Sequence, residues 1–293
     1  MRVRQKLWSF VAVAMLGFAG IADPGFANPV TRVQNQAIGV PSAVELASTL
    51  KIADVIEVMR LEGLKYGAQM EEELFPGRGG AAWKSVVALI YDGPTMQTRF
   101  EEAFAQQLAG READLPAIQT FFGVELGQRI LTLEIEARRS LMDEAVEDAA
   151  KAAVEDMMAE GTPRFDALQA FSDTNDLIEM NVTGALNANL AFFQGMAEVE
   201  TADQEMTQDD MLMTVWGQEP EIRAETEAWI YPYLSLAYGP LSDAELEAYI
   251  AFSKTKPGQV LNGALFGAFD AVFSAISRDL GRAAAKQMMG EDI

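Results

Sequence analysis

The sequence contains no cysteine and no histidine among its 293 residues. Without cysteine, no disulfide can cross-link the chain, so its stability must come from the burial of apolar side chains. Without histidine, the chain has no imidazole for Ser-His-Asp or Cys-His nucleophilic sites, for zinc sites of the His-Glu-x-x-His type or for general base catalysis. Any catalysis would therefore rest on carboxylates, lysine, tyrosine, serine or threonine.

Basic residues are also scarce. Lysine and arginine number 22 against 44 aspartates and glutamates, which gives a formal net charge of −22. Proteins bind polyanions through clustered lysines and arginines that release counterions, and the chain after residue 27 has no such cluster. We therefore expect no nucleic-acid partner, and anionic lipid headgroups are disfavoured for the same reason. The apolar content of 49% is ample for a packed core.

The first 27 residues have the three parts of a secretion signal in the usual order. Basic residues precede an apolar run from Leu7 to Phe18, and small residues end at Ala27. The apolar run is shorter than the roughly 20 residues that a membrane-spanning helix needs. We expect cleavage between Ala27 and Asn28, a periplasmic or secreted mature protein, and no integral membrane segment after cleavage. Residues 28–41 contain prolines and a glycine without periodicity, and they predict a flexible lead-in.

Helical patterns dominate the chain from residue 42 onward. Ser42 followed by Glu45 forms a capping box, in which the hydroxyl and the carboxylate satisfy free backbone N–H groups at a helix start. Apolar residues then recur at helical spacing as far as Leu64. Turns with proline and glycine divide the rest into segments of helical length, and alternating β-branched runs are missing. We predict an all-α fold, a helical bundle.

The two halves of the chain share a collinear pattern. The clearest match has an offset of 131 residues and joins Phe121, Gly127 and Gln128 to Phe252, Gly258 and Gln259. Further upstream, the segment from Asp54 returns as the segment from Asp176, at an offset of 122. Alanine-rich helical segments also match by chance, because helices use a limited set of residues. The shared order favours two diverged tandem copies of one helical unit, at residues 43–160 and 164–290.

Residues 242–258 carry a motif of the form Ser/Thr-x-x-Glu-Leu, then Phe, then Ser/Thr-x-x-Gly. Its positions are filled by Ser242, Glu245, Leu246, Phe252, Thr255 and Gly258. In this motif the chain resembles a bacterial exported, all-helical domain family of unknown function, and the resemblance extends over about residues 225–290. It is faint in the first half, where Val124 replaces the threonine. The resemblance implies an exported helical domain and brings no activity with it.

The segment from Val260 to Leu280 has a broad apolar face at helical spacing. We interpret it as either the central helix of the bundle, covered on all sides, or a helix with an apolar groove on part of its face for a partner helix or a lipid-like ligand. Small glycines one turn apart would permit a close approach there. The candidate residues for this face are Gly263, Phe266, Gly267, Phe269 and Phe273.

The corresponding helix of the first half is far more polar. Glu134, Glu136, Arg138 and Arg139 stand where the second half has Leu265, Gly267, Phe269 and Asp270. From this contrast we expect the two helices to differ in burial.

Catalytic patterns are weak. Ser253 and Lys256 have the Ser-x-x-Lys spacing at which a lysine amine can activate a serine, but the companion Ser-Asp-Asn and Lys-Thr-Gly elements are absent. Lysines near a helix end also complement the helix dipole. The acidic stretches 173–176 and 203–210 lack the glycine and the distal glutamate of a calcium-binding loop. Met206, Met211 and Met213 have no histidine or cysteine to complete a copper site, so we expect no metal ion and no cofactor.

These observations favour a non-enzymatic exported helical protein that binds a protein partner or an apolar ligand. The alternative is a carboxylate-dependent hydrolase of the cell envelope that acts on a glycan-type substrate, because acidic residues are plentiful. Two carboxyl groups within roughly 5–10 Å across an open cleft would favour the hydrolase, whereas an apolar cavity would favour the binding protein.

Overall fold

The computed structural model describes residues 40–199 and 206–290 of the chain. Within these ranges every regular element is an α-helix, which confirms the predicted all-α class. The predicted signal and nearly all of the predicted lead-in lie outside the described residues. The helices are α1 (Ala43–Thr49), α2 (Ile52–Leu74), α3 (Gly80–Ile90), α4 (Gly93–Leu108), α5 (Leu115–Gly123), α6 (Glu125–Ser140), α7 (Glu144–Glu160), α8 (Pro163–Thr174), α9 (Leu177–Ala197), α10 (Gln208–Trp216), α11 (Glu219–Tyr238), α12 (Asp243–Ser253) and α13 (Lys256–Met289).

The first helical segment starts as predicted and then breaks. Ser42 caps α1 through the capping box with Glu45, in which the serine N–H donates to the carboxylate at 2.8 Å. The periodicity predicted one helix as far as Leu64, but the structure has two, separated at Lys51. Lys51 has a left-handed backbone conformation (φ 55°), which an α-helix of L-residues does not accommodate. Its ammonium group donates to the hydroxyl of Thr132 on α6 at 2.6 Å, so a contact from distant sequence accompanies the break.

One large hydrophobic core runs through both halves of the chain. Buried residues from α1 to α9 and from α11 to α13 belong to the same cluster. A second, smaller cluster lies among α9, α10 and the start of α11. The predicted units 43–160 and 164–290 therefore share a continuous core and do not fold around two separate ones.

Helix α13 is the central element of this core. It packs mainly on α9 and α4, and it also contacts α3, α5 and α12. The approach to α9 is a backbone contact: a Cβ on Gly195 would lie 2.0 Å from the carbonyl oxygen of Arg278, and a Cβ on Gly281 would lie 2.1 Å from that of Phe192. Only glycine fits at these two positions, so Gly195 and Gly281 set how closely α9 and α13 approach each other.

Helix α13 is also, among the described residues, the one helix long and apolar enough to cross a membrane. Its most apolar window has a mean hydropathy of 1.5, and 56% of that window is buried inside the fold. Length and composition alone do not separate a membrane span from a core helix. The packing of α13 on α9 and α4 accounts for its apolar sequence.

Two glutamines make the same pair of contacts in the two halves of the fold. Gln128 on α6 donates from Nε2 to the carbonyl of Thr49, the last residue of α1, at 2.9 Å, and to the carbonyl of Phe122 at 2.7 Å. Gln259 on α13 donates to the carbonyl of Thr174, the last residue of α8, at 3.0 Å, and to that of Ser253 at 2.6 Å. Each glutamine thus satisfies a free carbonyl at the end of one helix and a second at the end of another.

A close glycine contact also recurs in the two halves of the fold. Gly127 and Gly258 both lie against the preceding helix, where an added Cβ would come within 2.3 Å of the carbonyl oxygen of Phe121 or Phe252. The rings of Phe121 and Phe252 stack on each other, with centroids 4.3 Å apart and planes 4° apart.

Upstream of these residues, the structural correspondence differs from the sequence alignment. The positive-φ residue before the second helix of each half is Lys51 in one and Asp176 in the other. The predicted alignment paired Asp176 with Asp54, three residues away. Positive φ is rare outside glycine. A shared positive φ is therefore a more specific sign that two positions correspond than a shared aspartate is.

Candidate functional site

A cavity of about 350 Å³ lies between α2 and α11 and is closed by the ends of α3 and α6, by α7 and by α13. We call it the α2/α11 cavity. Exposed Lys65 and Ala228 lie on its wall, whereas Met59 and Ile276 are fully buried, so the cavity opens to solvent at one end and reaches the core at the other. The lining residues are Met59, Glu62, Gly63, Lys65, Tyr66, Gln69, Tyr91, Arg138, Leu141, Met142, Glu147, Lys151, Glu225, Ala228, Trp229, Phe273, Ile276 and Ser277.

Two glycines shape the α2 side of the cavity. An added Cβ on Gly63 would lie 2.1 Å from the ring of Tyr91, and one on Gly67 would lie 2.5 Å from Val87. The missing side chains let α3 lie directly on α2, and the indole N–H of Trp83, in the first turn of α3, donates to the carbonyl of Gly67 at 2.7 Å. Tyr91 is thereby held against the backbone of α2 as part of the wall.

An ion pair forms the polar part of the wall. The guanidinium of Arg138 on α6 binds the carboxylate of Glu62 on α2 in a bidentate manner, with Nε–Oε1 at 2.9 Å and Nη2–Oε2 at 2.7 Å. The side chain of Arg138 is only 3% exposed, so its charge depends on this partner. At the rim, Lys151 pairs with Glu147 at 2.6 Å, and Lys65 donates to the carbonyl of Met142 at 3.2 Å.

The α11 side of the cavity combines an aromatic ring with an irregular stretch of helix. Trp229 stacks on Tyr233, with ring centroids 4.8 Å apart. Pro232 lies inside α11 and has no N–H, so the carbonyl of Ala228 loses its usual intrahelical donor. Glu225 lies one turn before Ala228 on the same wall.

A buried carboxyl group lies behind this wall. Glu134 on α6 is fully buried, and its Oε1 accepts hydrogen bonds from the hydroxyls of Tyr238 (2.6 Å) and Tyr249 (2.7 Å). Burial raises the pKa of Glu134 to about 8, although the two tyrosine hydroxyls oppose the shift. The group is therefore largely protonated at neutral pH.

Tyr233 stacks on Trp229 and interacts electrostatically with this carboxyl group. Its own pKa is raised by burial and by the nearby carboxylates of Glu134 and Glu62, while Arg138 opposes the shift. The hydroxyl of Tyr233 and the second oxygen of Glu134 are both buried and form no hydrogen bond to the described protein groups.

The five predicted residues on α13 lie in different environments. Phe266 and Phe269 are buried in the core, where the ring of Phe269 packs on Phe100 with centroids 4.6 Å apart. Gly263 is exposed, and nothing lies near its missing Cβ, whereas Gly267 faces the side chain of Gln107. Phe273 lines the α2/α11 cavity. Of the predicted face, the structure therefore brings only Phe273 to the described cavity.

The Ser-x-x-Lys pattern does not form a pair. Ser253 is fully buried and accepts a hydrogen bond from Asn175 at 2.8 Å, while Lys256 lies 3.1 Å from the carboxylate of Asp114. Within the described residues, no group of three or more histidine, cysteine, aspartate or glutamate side chains is placed to hold a metal ion.

Most of the cavity wall was not predictable from the sequence. Arg138 and Glu134 stand in a helix that we expected to be less buried than its counterpart, yet both are buried, as are the corresponding Leu265 and Phe269. A polar residue in a helical pattern predicts a position that faces solvent. The partners that offset the energetic cost of burying these two side chains lie far away in the sequence, so the pattern does not reveal them. The four-residue spacing of Glu134 and Arg138 was the available signal, because it places them on one face of α6.

Comparison of the chain with known protein families, with curated proteins and with solved structures finds no match. The resemblance carried by residues 242–258 therefore stays an expectation. The motif itself has a structural role: Ser242 and Glu245 form a capping box at α12, and the hydroxyl of Thr255 accepts from the N–H of Gly258 at the start of α13, at 3.1 Å.

Proposed function

We propose that this protein binds a small, largely apolar organic molecule in the α2/α11 cavity. The observation that carries the proposal is the cavity itself, whose volume of about 350 Å³ lies within the range of small-molecule sites, roughly 300–1,000 Å³. Its walls combine aromatic and aliphatic side chains with a few fixed polar groups, which is the usual composition of such sites.

The shape of the site favours a small molecule over a protein partner. Protein interfaces are broad surfaces that bury on the order of 800 Å² on each partner. The α2/α11 cavity is instead a concave space that reaches from exposed Ala228 to fully buried Ile276. A ligand in it would contact helices from both halves of the chain.

The charged groups of the wall favour binding over glycan hydrolysis. Glycoside hydrolysis uses two carboxyl groups on either side of the scissile bond. Among the described residues that line the cavity, Glu62 and Glu147 each form an ion pair with a cation, which leaves Glu225 as the carboxylate without one.

We also infer that the protein acts after export and consists of two diverged copies of one helical unit. Export is supported by the signal-like residues 1–27, and a mature chain that begins at Asn28 by intact-mass measurement would test it. Duplication is supported by the matching contacts of Gln128 and Gln259 and by the helix contacts that recur in the same arrangement, such as α1 with α5 and α8 with α12.

A neutral fluorescent dye tests ligand binding. N-phenylnaphthylamine, whose emission rises in apolar surroundings, should bind with one site per chain. Ala228→Trp places a bulky side chain on the cavity wall at an exposed position, so the core should stay intact and the dye affinity should fall by roughly tenfold or more.

The matched control is Ala224→Trp, one turn earlier on α11 at an exposed position that does not line the cavity. This variant should bind the dye like the unaltered protein. Equal binding by all three proteins would place the dye elsewhere and contradict the proposal. Circular dichroism of both variants should show the helical content unchanged.

A further inference from the structure

Three residues on one face of α11 line the α2/α11 cavity and carry electron-rich groups. Glu225, Ala228 and Trp229 are spaced three and four residues apart, so they share a helix face, and all three line the cavity. Glu225 offers a carboxylate, and Ala228 offers a carbonyl that lost its usual donor because Pro232 has no N–H. Trp229 offers an indole ring, whose face attracts cations. None of the three residues carries a positive charge.

The cations on the remaining walls already have acceptors. The guanidinium of Arg138 binds Glu62, the ammonium of Lys151 binds Glu147, and the ammonium of Lys65 donates to the carbonyl of Met142. Glu225 is the carboxylate on the described wall that has no ion-pair partner. A ligand with a positive charge beside α11 would therefore form an ion pair with the carboxylate of Glu225, and no existing ion pair would be displaced.

The net charge of the whole chain also favours a positively charged ligand. A net charge of −22 produces a negative potential that concentrates cations and repels anions near the protein. A cleft with low-dielectric walls strengthens this effect. The aromatic lining of the cavity, which includes Tyr66, Tyr91 and Phe273, suits the apolar body of the same ligand.

We propose that the ligand of the α2/α11 cavity is an amphipathic amine, whose protonated nitrogen is bound by Glu225, the carbonyl of Ala228 and the face of Trp229, and whose apolar body fills the aromatic part of the cavity. This inference rests on the proposed function and specifies the chemical class of the ligand. A primary or secondary ammonium has N–H donors for both oxygen acceptors, and it carries the charge that attracts the ring.

Three probes that share one ring system test the proposal. Naphthylmethylamine is a cation at neutral pH, naphthylmethanol is neutral and naphthylacetate is an anion. Isothermal titration of the full mature protein should give the tightest binding for the amine, by roughly tenfold over the alcohol, and the weakest for the acid. Because the preference is electrostatic, it should shrink as salt is raised.

Glu225→Gln and Glu227→Gln form a matched pair of variants. The two glutamates lie two residues apart on α11, but Glu227 is exposed and does not line the cavity. Glu225→Gln should remove most of the preference for the amine and leave binding of the alcohol unchanged, whereas Glu227→Gln should leave both unchanged. Unchanged binding of N-phenylnaphthylamine by both variants shows that the cavity is intact.

The outcomes separate this inference from the function on which it rests. Equal binding of amine and alcohol, tighter binding of the acid, or an amine preference that survives Glu225→Gln overturns the amine proposal while the cavity remains a ligand site. If none of the three probes binds and the neutral dye does not bind either, both proposals fail.

Discussion

Glu134 shows how a charged residue type is accommodated in this core. In the proposed alignment of the two halves it corresponds to Leu265, and both side chains are fully buried. The carboxyl group stays neutral because burial raises its pKa to about 8, and the hydroxyls of Tyr238 and Tyr249 bind one of its oxygens. Its sequence pattern did not predict this burial, because the two tyrosines lie more than one hundred residues away.

The protein should therefore lose stability as the pH rises through the titration range of Glu134. The folded state holds the proton up to about pH 8, whereas the unfolded chain releases it near pH 4.5. Between these values folding takes up a proton. For each unit by which the pH rises, this group therefore lowers the free energy of unfolding by up to about 1.4 kcal/mol. Glu134→Gln mimics the protonated form and should become the more stable protein at pH 8.5, as measured by urea denaturation.

The exposed Glu136, on the same helix, supplies the control. The stability difference between Glu134→Gln and the unaltered protein should grow from pH 5.5 to pH 8.5, while that of Glu136→Gln should stay nearly constant. A difference for Glu134→Gln that does not change with pH would mean that Glu134 is ionised in the folded protein throughout this range.

Replacement of glycine by alanine should have opposite effects on stability at two positions of α13. A Cβ on Gly281 would lie 2.1 Å from the carbonyl oxygen of Phe192, so Gly281→Ala should push α9 and α13 apart and destabilise the protein by about 1–3 kcal/mol. A Cβ on Gly263 would meet nothing within 4 Å, so Gly263→Ala should stabilise the helix by about 0.5–1 kcal/mol. Thermal or urea unfolding measures both, and effects of equal sign would be inconsistent with the packing of α13.

At the scale of elements, the sequence predicted where helices begin better than how they pack. The capping box predicted at Ser42 is present, because the residues that form a cap lie within one turn of each other, and Ser242 forms a second box in the same way. The break at Lys51 was missed, since the apolar periodicity continues across it and its contact with Thr132 comes from another helix. The close approach expected at Gly263 is absent for the same reason, whereas Gly281 lies directly against the backbone of α9.

Gln128 and Gln259 should contribute equally to stability if they occupy equivalent places in two copies of one unit. Each donates two hydrogen bonds to carbonyls at helix ends, so Gln128→Ala and Gln259→Ala should each cost about 1–2 kcal/mol of unfolding free energy. The exposed Gln106 on α4 is a control, and Gln106→Ala should change stability by less than about 0.5 kcal/mol. A loss at one glutamine and none at the other would argue against equivalent roles.

At the scale of the whole molecule, the α2/α11 cavity is a product of tertiary structure. Its wall combines residues from near Met59 to Ser277, and no local pattern brings these segments together. The apolar character of α13 did predict an element at the centre of the protein, and Phe273 is the predicted residue that reaches the cavity. The rest of the wall depends on features that sequence alone does not display, among them the ring of Tyr91 that fits over Gly63 and the bidentate pair of Arg138 with Glu62.

Native mass spectrometry of the protein purified from its own compartment is the most direct test of ligand binding. We predict a species heavier than the polypeptide by the mass of one small organic molecule, which is released on collisional activation. In Ala228→Trp, prepared in the same way, this species should be absent, whereas Ala224→Trp should retain it. The bare polypeptide mass in all three proteins, or an adduct that Ala228→Trp keeps, would contradict the assignment of the α2/α11 cavity as a ligand site.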